Sequence, residues 1–223
     1  VASSEREEGS GVTGSGRPYH HGDLRAALLD AALQMSRGDG PTAVSLREVT
    51  RRAGVSPAAA YRHFRDRTQL MGAVAREIQD RMAQRMRERM DTAGDCSAQD
   101  RALQHVRGVG LGYIAFAVDE PGWFQTAFFG IASEAAGPVP SEAAGGGRES
   151  VPAPFALLTS ALDQCVEAGV LTAVRRDGAE YVCWSAVHGC AQLLIHGPLR
   201  AAPRSQVRQV AERVVDDVIA GIR

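Results

Sequence analysis

The stretch from Ser45 to Phe64 most constrains what this chain can fold into. Two apolar sets lie in it at helical spacing, Leu46, Val49 and Ala53, then Ala60 and Phe64, with Gly54 and Val55 between them. Apolar side chains three and four apart share one face of a helix, so each set marks a short amphipathic helix. Ser45 and Ser56 precede these helices at N-cap positions, and Pro57 sits in a first turn, where a missing N–H costs nothing. Gly54 suits the left-handed conformation that a tight turn needs. The pattern predicts a helix-turn-helix with Leu46, Val49, Ala53, Val55, Ala60 and Phe64 packed inside, and its second helix is the candidate reader of a DNA major groove.

The same periodicity organises the rest of the chain. Leu24, Leu28, Ala31, Ala32 and Met35 mark one face of a helix begun by Asp23 and stopped by Gly38 to Pro41. A longer helix from about Arg67 carries Leu70, Val74, Ile78, Met82 and Met86 at every fourth residue and breaks at 91–95. Further helices are expected over about 98–118, 122–132, 152–168, 178–196 and 203–222, with a flexible loop at 134–151. Strand signals are lacking, so the fold class is all-α. Residues 1–16, rich in Ser, Gly and Glu, read as a disordered tail. A three-helix DNA-binding domain over 17–66 and a helical effector-binding and dimerisation domain over 67–223 complete the division.

Charge supports a DNA-binding head. The formal net charge is −1, which by itself excludes only a strongly basic or acidic chain. Residues 17–70, however, hold nine arginines against five acidic residues, whereas 1–16 and 71–223 are both net acidic. All 25 basic residues are arginine, a side chain that makes bidentate phosphate and base contacts. No apolar run is long enough to span a bilayer and no signal-peptide pattern opens the sequence, so a cytoplasmic protein without membrane contact is expected. Cys96, Cys165, Cys183 and Cys190 form no CxxC pair and read as free thiols. Nucleophile-elbow, phosphate-loop and zinc-protease motifs are absent, as are paired catalytic carboxylates, so neither an enzyme, a metal site nor a cofactor is expected.

Residues 19–75 closely resemble the tetracycline-repressor family. The resemblance rests on YHHGDLRAALLDAAL and TAVSLREVTRRAGVSPAAAYRHFRDRTQLMGAV, with the turn glycine, the capping serine and the Tyr-x-His-Phe run followed by a basic residue and a leucine. It implies a dimeric repressor that leaves a near-palindromic double-stranded operator when a small molecule binds the C-terminal domain. Ser45 and Ser56 at helix starts, Tyr61 and His63 beside Phe64, and Arg67 at the start of the fourth helix are then expected on phosphates. Arg47 is placed to reach a phosphate or a guanine edge. Pro57, Ala58 and Ala59 on the reading helix can touch thymine methyls but cannot hydrogen-bond bases, so Arg47, Arg62 and DNA shape are expected to carry much of the selection. Arg17, His20 and His21 either reach an adjacent groove or merely end the tail.

In the second half, Tyr113, Phe116, Trp123, Phe124, Phe128 and Phe129 supply six of the 12 aromatic residues. They read either as the wall of an effector cavity or as a plain aromatic core. Gly108, Gly110 and Gly112 within one helix point to close packing or to space for a ligand. Trp184, His188 and Gly189 match the W-x-x-x-H-G pattern of a subgroup of the same family, and Gln192 continues that face. The candidate pocket residues are therefore Tyr113, Phe116, Trp123, Phe124, Phe128, Trp184, His188 and Gln192. No arginine lies within this wall, so an apolar or aromatic effector is expected. Val207, Val210, Val214 and Val218 form an apolar stripe on the last helix, read as the homodimer interface or as internal packing. Two other readings remain: a regulator that activates or ignores ligands, and a helical binding protein or enzyme with a vestigial DNA module.

Overall fold

The computed structural model describes residues 21–91, 96–130 and 151–223. Among them are ten α-helices and no strand: α1 His21–Asp39, α2 Leu46–Ala53, α3 Pro57–Tyr61, α4 Arg67–Met90, α5 Ala98–Asp119, α6 Pro121–Phe129, α7 Ala153–Glu167, α8 Ala173–Arg176, α9 Ala179–Ile195 and α10 Arg204–Ile222. The expected tail, Arg17, His20 and all of the expected loop except Val151 lie outside the described residues. No described helix is long and apolar enough to cross a membrane.

Five helices start on a side-chain cap. Asp66 accepts the Gln69 N–H at 2.8 Å and Ser97 accepts the Asp100 N–H at 3.1 Å, each satisfying a donor that the helix itself leaves open. Three details differ from the sequence expectation. Helix α1 already includes His21, so Asp23 lies within the helix and does not precede it. A 3₁₀ turn, Pro41–Ala43, follows α1. The short α8 was also not expected: Thr172 caps it, and Arg176 pairs with Asp163 and Glu180 at 2.7 and 2.6 Å.

Helix α4 is shared by the two halves. It packs on α1 in the head and on α5, α6 and α7 in the body. The expected boundary after residue 66 falls at the α4 N-cap, yet the buried apolar residues from Leu24 to Val215 form one continuous cluster. Helix α5 lies directly on the α4 backbone because two glycines face it. A Cβ at Gly112 would sit 2.8 Å from Met86 Cα, and one at Gly108 2.8 Å from the Arg89 carbonyl oxygen. Gly110 points the other way, towards Val187 and Val215. All three glycines thus serve close packing, two against a backbone and one against side chains.

Candidate nucleic-acid interface and effector cavity

The α2–α3 corner is built by its caps and its turn. Ser45 accepts the Glu48 N–H at 3.2 Å, Ser56 accepts the Ala59 N–H at 3.3 Å, and Gly54 closes α2 with φ +69°. Val49, Ala60 and Phe64 are buried beneath it, which turns Pro57, Ala58, Tyr61 and Arg62 outward. Tyr61 is 57% exposed. Ala59 and His63 are half-buried at the rim of this face, and Arg47 is exposed on α2. Glu48 binds Arg51 at 2.6 Å and Arg52 at 3.2 Å, and these bonds, that from Arg51 foremost, hold its carboxyl down to about 2. Of the three α2 arginines, Arg47 stands outside this network.

Arg67 departs from the expected set. Its Nε donates to the Val44 carbonyl at 2.7 Å and one Nη to the Pro41 carbonyl at 2.6 Å, so the guanidinium ties α4 to the turn after α1. The Pro41 carbonyl also accepts the Val44 N–H across the 3₁₀ turn at 3.4 Å, whereas the Val44 carbonyl lies outside the helix ladders and takes its donor from Arg67. The guanidinium expected on a phosphate is thus held within the fold, with one Nη left without a partner.

A cavity with about 40 Å³ of free space lies between α4, α5, α6, α7, α9 and α10. That holds a few waters, so a larger occupant must push side chains apart. Its wall includes Met86, Gly110, Tyr113, Phe128, Phe155 and Trp184. Tyr113, Phe128 and Trp184 were expected there. Phe124 and His188 stand behind them: Phe124 meets Tyr113 edge-on at 5.7 Å, and His188 Nδ1 shares a 2.8 Å hydrogen bond with the Tyr113 hydroxyl. The Trp184 indole N–H donates to the same hydroxyl at 3.3 Å. Burial raises the Tyr113 hydroxyl pKa and lowers that of His188, so both are neutral near pH 7. Gln192 does not reach the cavity, and its buried Nε2 has no partner.

Cys183 also lines this cavity, and burial pushes its thiol up to about 11. Cys165 and Cys190 are buried and raised for the same reason, whereas Cys96 is half-buried. Because the thiolate is the reactive form, an alkylating reagent at pH 7.5 should modify Cys96 first and the other three only on unfolding. Mass spectrometry of the folded protein checks this. Rapid labelling of Cys183 would contradict its burial.

Phe116 and Trp123 are not in the cavity wall. They stack on each other at 6.3 Å where α6 meets α1, and the Trp123 indole donates to the Leu33 carbonyl at 2.8 Å. Arg37 and Arg81 each lie 5.0 Å from the Trp123 ring centre, so arginines do flank this part of the expected wall. Beside them Glu120, 6% exposed, takes a bidentate contact from Arg37 at 2.7 and 2.5 Å. A Cβ at Gly122 would run into the Arg37 carbonyl oxygen and lie 2.5 Å from that of Ser36. The start of α6 is therefore clamped to the end of α1, while Phe128 near its other end lines the cavity.

Known families share both halves of this arrangement. A family model described as bacterial regulatory proteins, tetR family, matches residues 28–74, and one described as tetracyclin repressor-like, C-terminal domain, matches 106–218. The chain belongs to the tetracycline-repressor (TetR) family of transcriptional regulators. A curated relative, the HTH-type transcriptional regulator BetI of Rhizobium meliloti (strain 1021), is 44% identical over 54 residues, 24% of this chain and 27% of that protein. A protein of unknown function from Rhodococcus sp. RHA1 has a similar structure, with a TM-score of 0.68 and 27% identity over 92% of this chain and 97% of that one. FadR of Bacillus subtilis, solved with stearoyl-CoA, shares the fold with a TM-score of 0.62 and 11% identity over 89% of this chain and 99% of its own. A TetR variant of Acinetobacter baumannii AYE, solved with minocycline, does so with a TM-score of 0.53 and 17% identity over 88% and 94%.

Sequence reasoning missed the Arg37–Glu120 clamp of this TetR-family chain, which joins residues 83 apart and has no local signature. The α9 sequence is apolar almost all round, the pattern of a helix with one side on the core and the other on a partner. Its outer stripe holds Val182 and Leu193, 55% and 47% exposed, with Ala186 and Gly189, and a Cβ at Gly189 would meet nothing within 4 Å. On α10, Val218 lines the cavity and Val207 a groove against α5, while Val210 and Val214 are half-buried.

Proposed function

We propose that the chain is a homodimeric repressor released from a near-palindromic operator by an apolar small molecule. The observation that carries this reading is a single helix, α6, that borders the cavity at Phe128 and grips α1 through Glu120, Gly122 and Trp123. An occupant that displaces Phe128 moves α6, and α6 cannot move without α1 and the reading head packed on it. The solved complexes of FadR with stearoyl-CoA and of the Acinetobacter TetR variant with minocycline support ligand binding in proteins of this fold.

In this reading Ser45, Arg47, Ser56, Tyr61, Arg62 and His63 face the DNA backbone, with Arg47 able to reach a guanine edge. Pro57, Ala58 and Ala59 meet thymine methyls. The dimer seam is formed by the Val182–Leu193 stripe of α9 with Val210 and Val214 of α10, while Val207 and Val218 support it from within. Two-fold symmetry then sets the reading helices about 34–36 Å apart, one turn of DNA.

A mobility-shift assay with the DNA flanking the protein's own coding region tests the operator, and sedimentation tests the dimer. A shift at low salt by a dimer is expected, and Leu193→Glu should give a monomer that no longer shifts. A lack of shift at any salt concentration would favour a binding protein with a vestigial DNA module. A monomer bound to DNA would remove the dimer seam.

A further inference from the structure

We infer that the cavity selects an uncharged ligand with one polar group, which docks on the Tyr113 hydroxyl while the rest of the molecule lies against Trp184, Phe128 and Phe155. This inference rests on the effector reading above and specifies its ligand class. Among the described wall residues the only ionisable groups are Tyr113 and Cys183, and burial holds both neutral. A carboxylate, phosphate or ammonium brought here would lose its water and find no countercharge, which a buried charge cannot sustain.

The polar capacity of the wall is small and well defined. The Tyr113 oxygen already accepts from Trp184 and shares a hydrogen bond with His188. A hydroxyl has one donor and two acceptor sites. With the tyrosine proton given to His188 Nδ1, one lone pair remains for a ligand O–H. With the proton on Nδ1 given to the tyrosine oxygen, the tyrosine O–H is left for a ligand carbonyl. The Tyr113–His188 couple thus serves one neutral oxygen of either sense, as in an alcohol, phenol, ketone or ester. For a second polar group the wall side chains offer only the weakly hydrogen-bonding Cys183 thiol.

Flat rings and chains suit the remaining surface. Phe155 and Trp184 lie 5.1 Å apart and Phe128 and Trp184 6.4 Å apart, so an inserted ring can replace these aromatic contacts with its own. Pro152, Pro154 and Leu158 of the α7 segment complete an apolar floor.

The test is a titration of the whole 223-residue chain with matched probes of equal carbon count: 1-decanol, methyl nonanoate, decanoate, decylamine and decane. Tryptophan fluorescence of the unaltered chain is read, in which Trp184 but not Trp123 lines the cavity. Decanol and the ester should bind at least a hundredfold more tightly than decanoate or decylamine. They should bind about fivefold more tightly than decane, the net value of one hydrogen bond. Tyr113→Phe should abolish the preference for decanol over decane and leave the affinity for decane unchanged. Equal binding of decanoate, or an unchanged decanol preference in Tyr113→Phe, would overturn the inference and leave the effector reading intact. If no probe changes tryptophan fluorescence or protects the fold against heat, the effector reading itself fails.

Discussion

Raising the salt from about 50 to about 200 mM should weaken operator binding about a thousandfold. Each phosphate neutralised by an arginine releases condensed counterions, which contributes about 0.9 to the slope of log affinity against log salt. Arg47, Arg62 and Arg65 are the exposed arginines on or beside α2 and α3 that Glu48 does not bind, although Arg65 lies 3.4 Å from its neighbour Asp66. Three per head, doubled in a dimer, give a slope of about −5, and a fourfold change in salt then gives the thousandfold loss. Arg62→Ala should reduce the slope by about 2, because two copies are lost. Tyr61→Phe should weaken binding at every salt concentration without altering the slope, since a neutral hydrogen bond releases no counterion. Arg67→Ala should leave the slope alone and lower stability, because its donors serve Pro41 and Val44. Fluorescence anisotropy with a labelled operator measures all four. A slope near zero would remove the phosphate assignment, and a slope change in Arg67→Ala would give that residue a phosphate contact as well.

The contrast between Arg62 and Arg67 shows what a sequence can and cannot convey. Helix positions were legible because burial follows spacing: Val49, Ala60, Phe64, Leu70, Val74 and Ile78 were all assigned inward and are all buried. The turn was legible because φ +69° at Gly54 and a serine cap on either side have few alternatives. The direction of a long side chain was not, because Arg67 can swing to solvent or to a carbonyl, and only the position of Pro41 and Val44 decides. The aromatic cluster failed in the same way. Tyr113, Phe116, Trp123 and Phe128 are close in sequence, but successive positions on α5 and α6 face different partners. One set borders the cavity and the other meets α1. Local pattern fixes which residues leave water, and long-range contacts then divide them among core, cavity and clamp.

The clamp itself predicts the largest stability effect. Gly122→Ala should destabilise the fold by about 3 kcal/mol, the upper range for overpacking a well-filled contact. The added methyl carbon would overlap the Arg37 and Ser36 carbonyl oxygens, the latter at 2.5 Å, and backbone cannot yield as a flexible side chain does. Relief requires α6 to retreat from α1, which strains the Trp123–Leu33 hydrogen bond and separates Glu120 from Arg37. For a chain of this size the loss corresponds to a melting temperature lower by about 6–12 °C. Gly38→Ala is the control: it is the same exchange, near the end of α1, where a Cβ would meet nothing within 4 Å. It should raise stability by up to about 1 kcal/mol through helix propensity alone. Thermal unfolding of the two variants therefore separates close approach from any general intolerance of glycine replacement. If α6 also carries the signal to the head, Gly122→Ala should lose operator affinity at temperatures where it remains folded, whereas Gly38→Ala should bind as before. A Gly122→Ala protein as stable as the parent would mean that α6 does not press on α1, and the route from cavity to DNA would have to run through α4 instead.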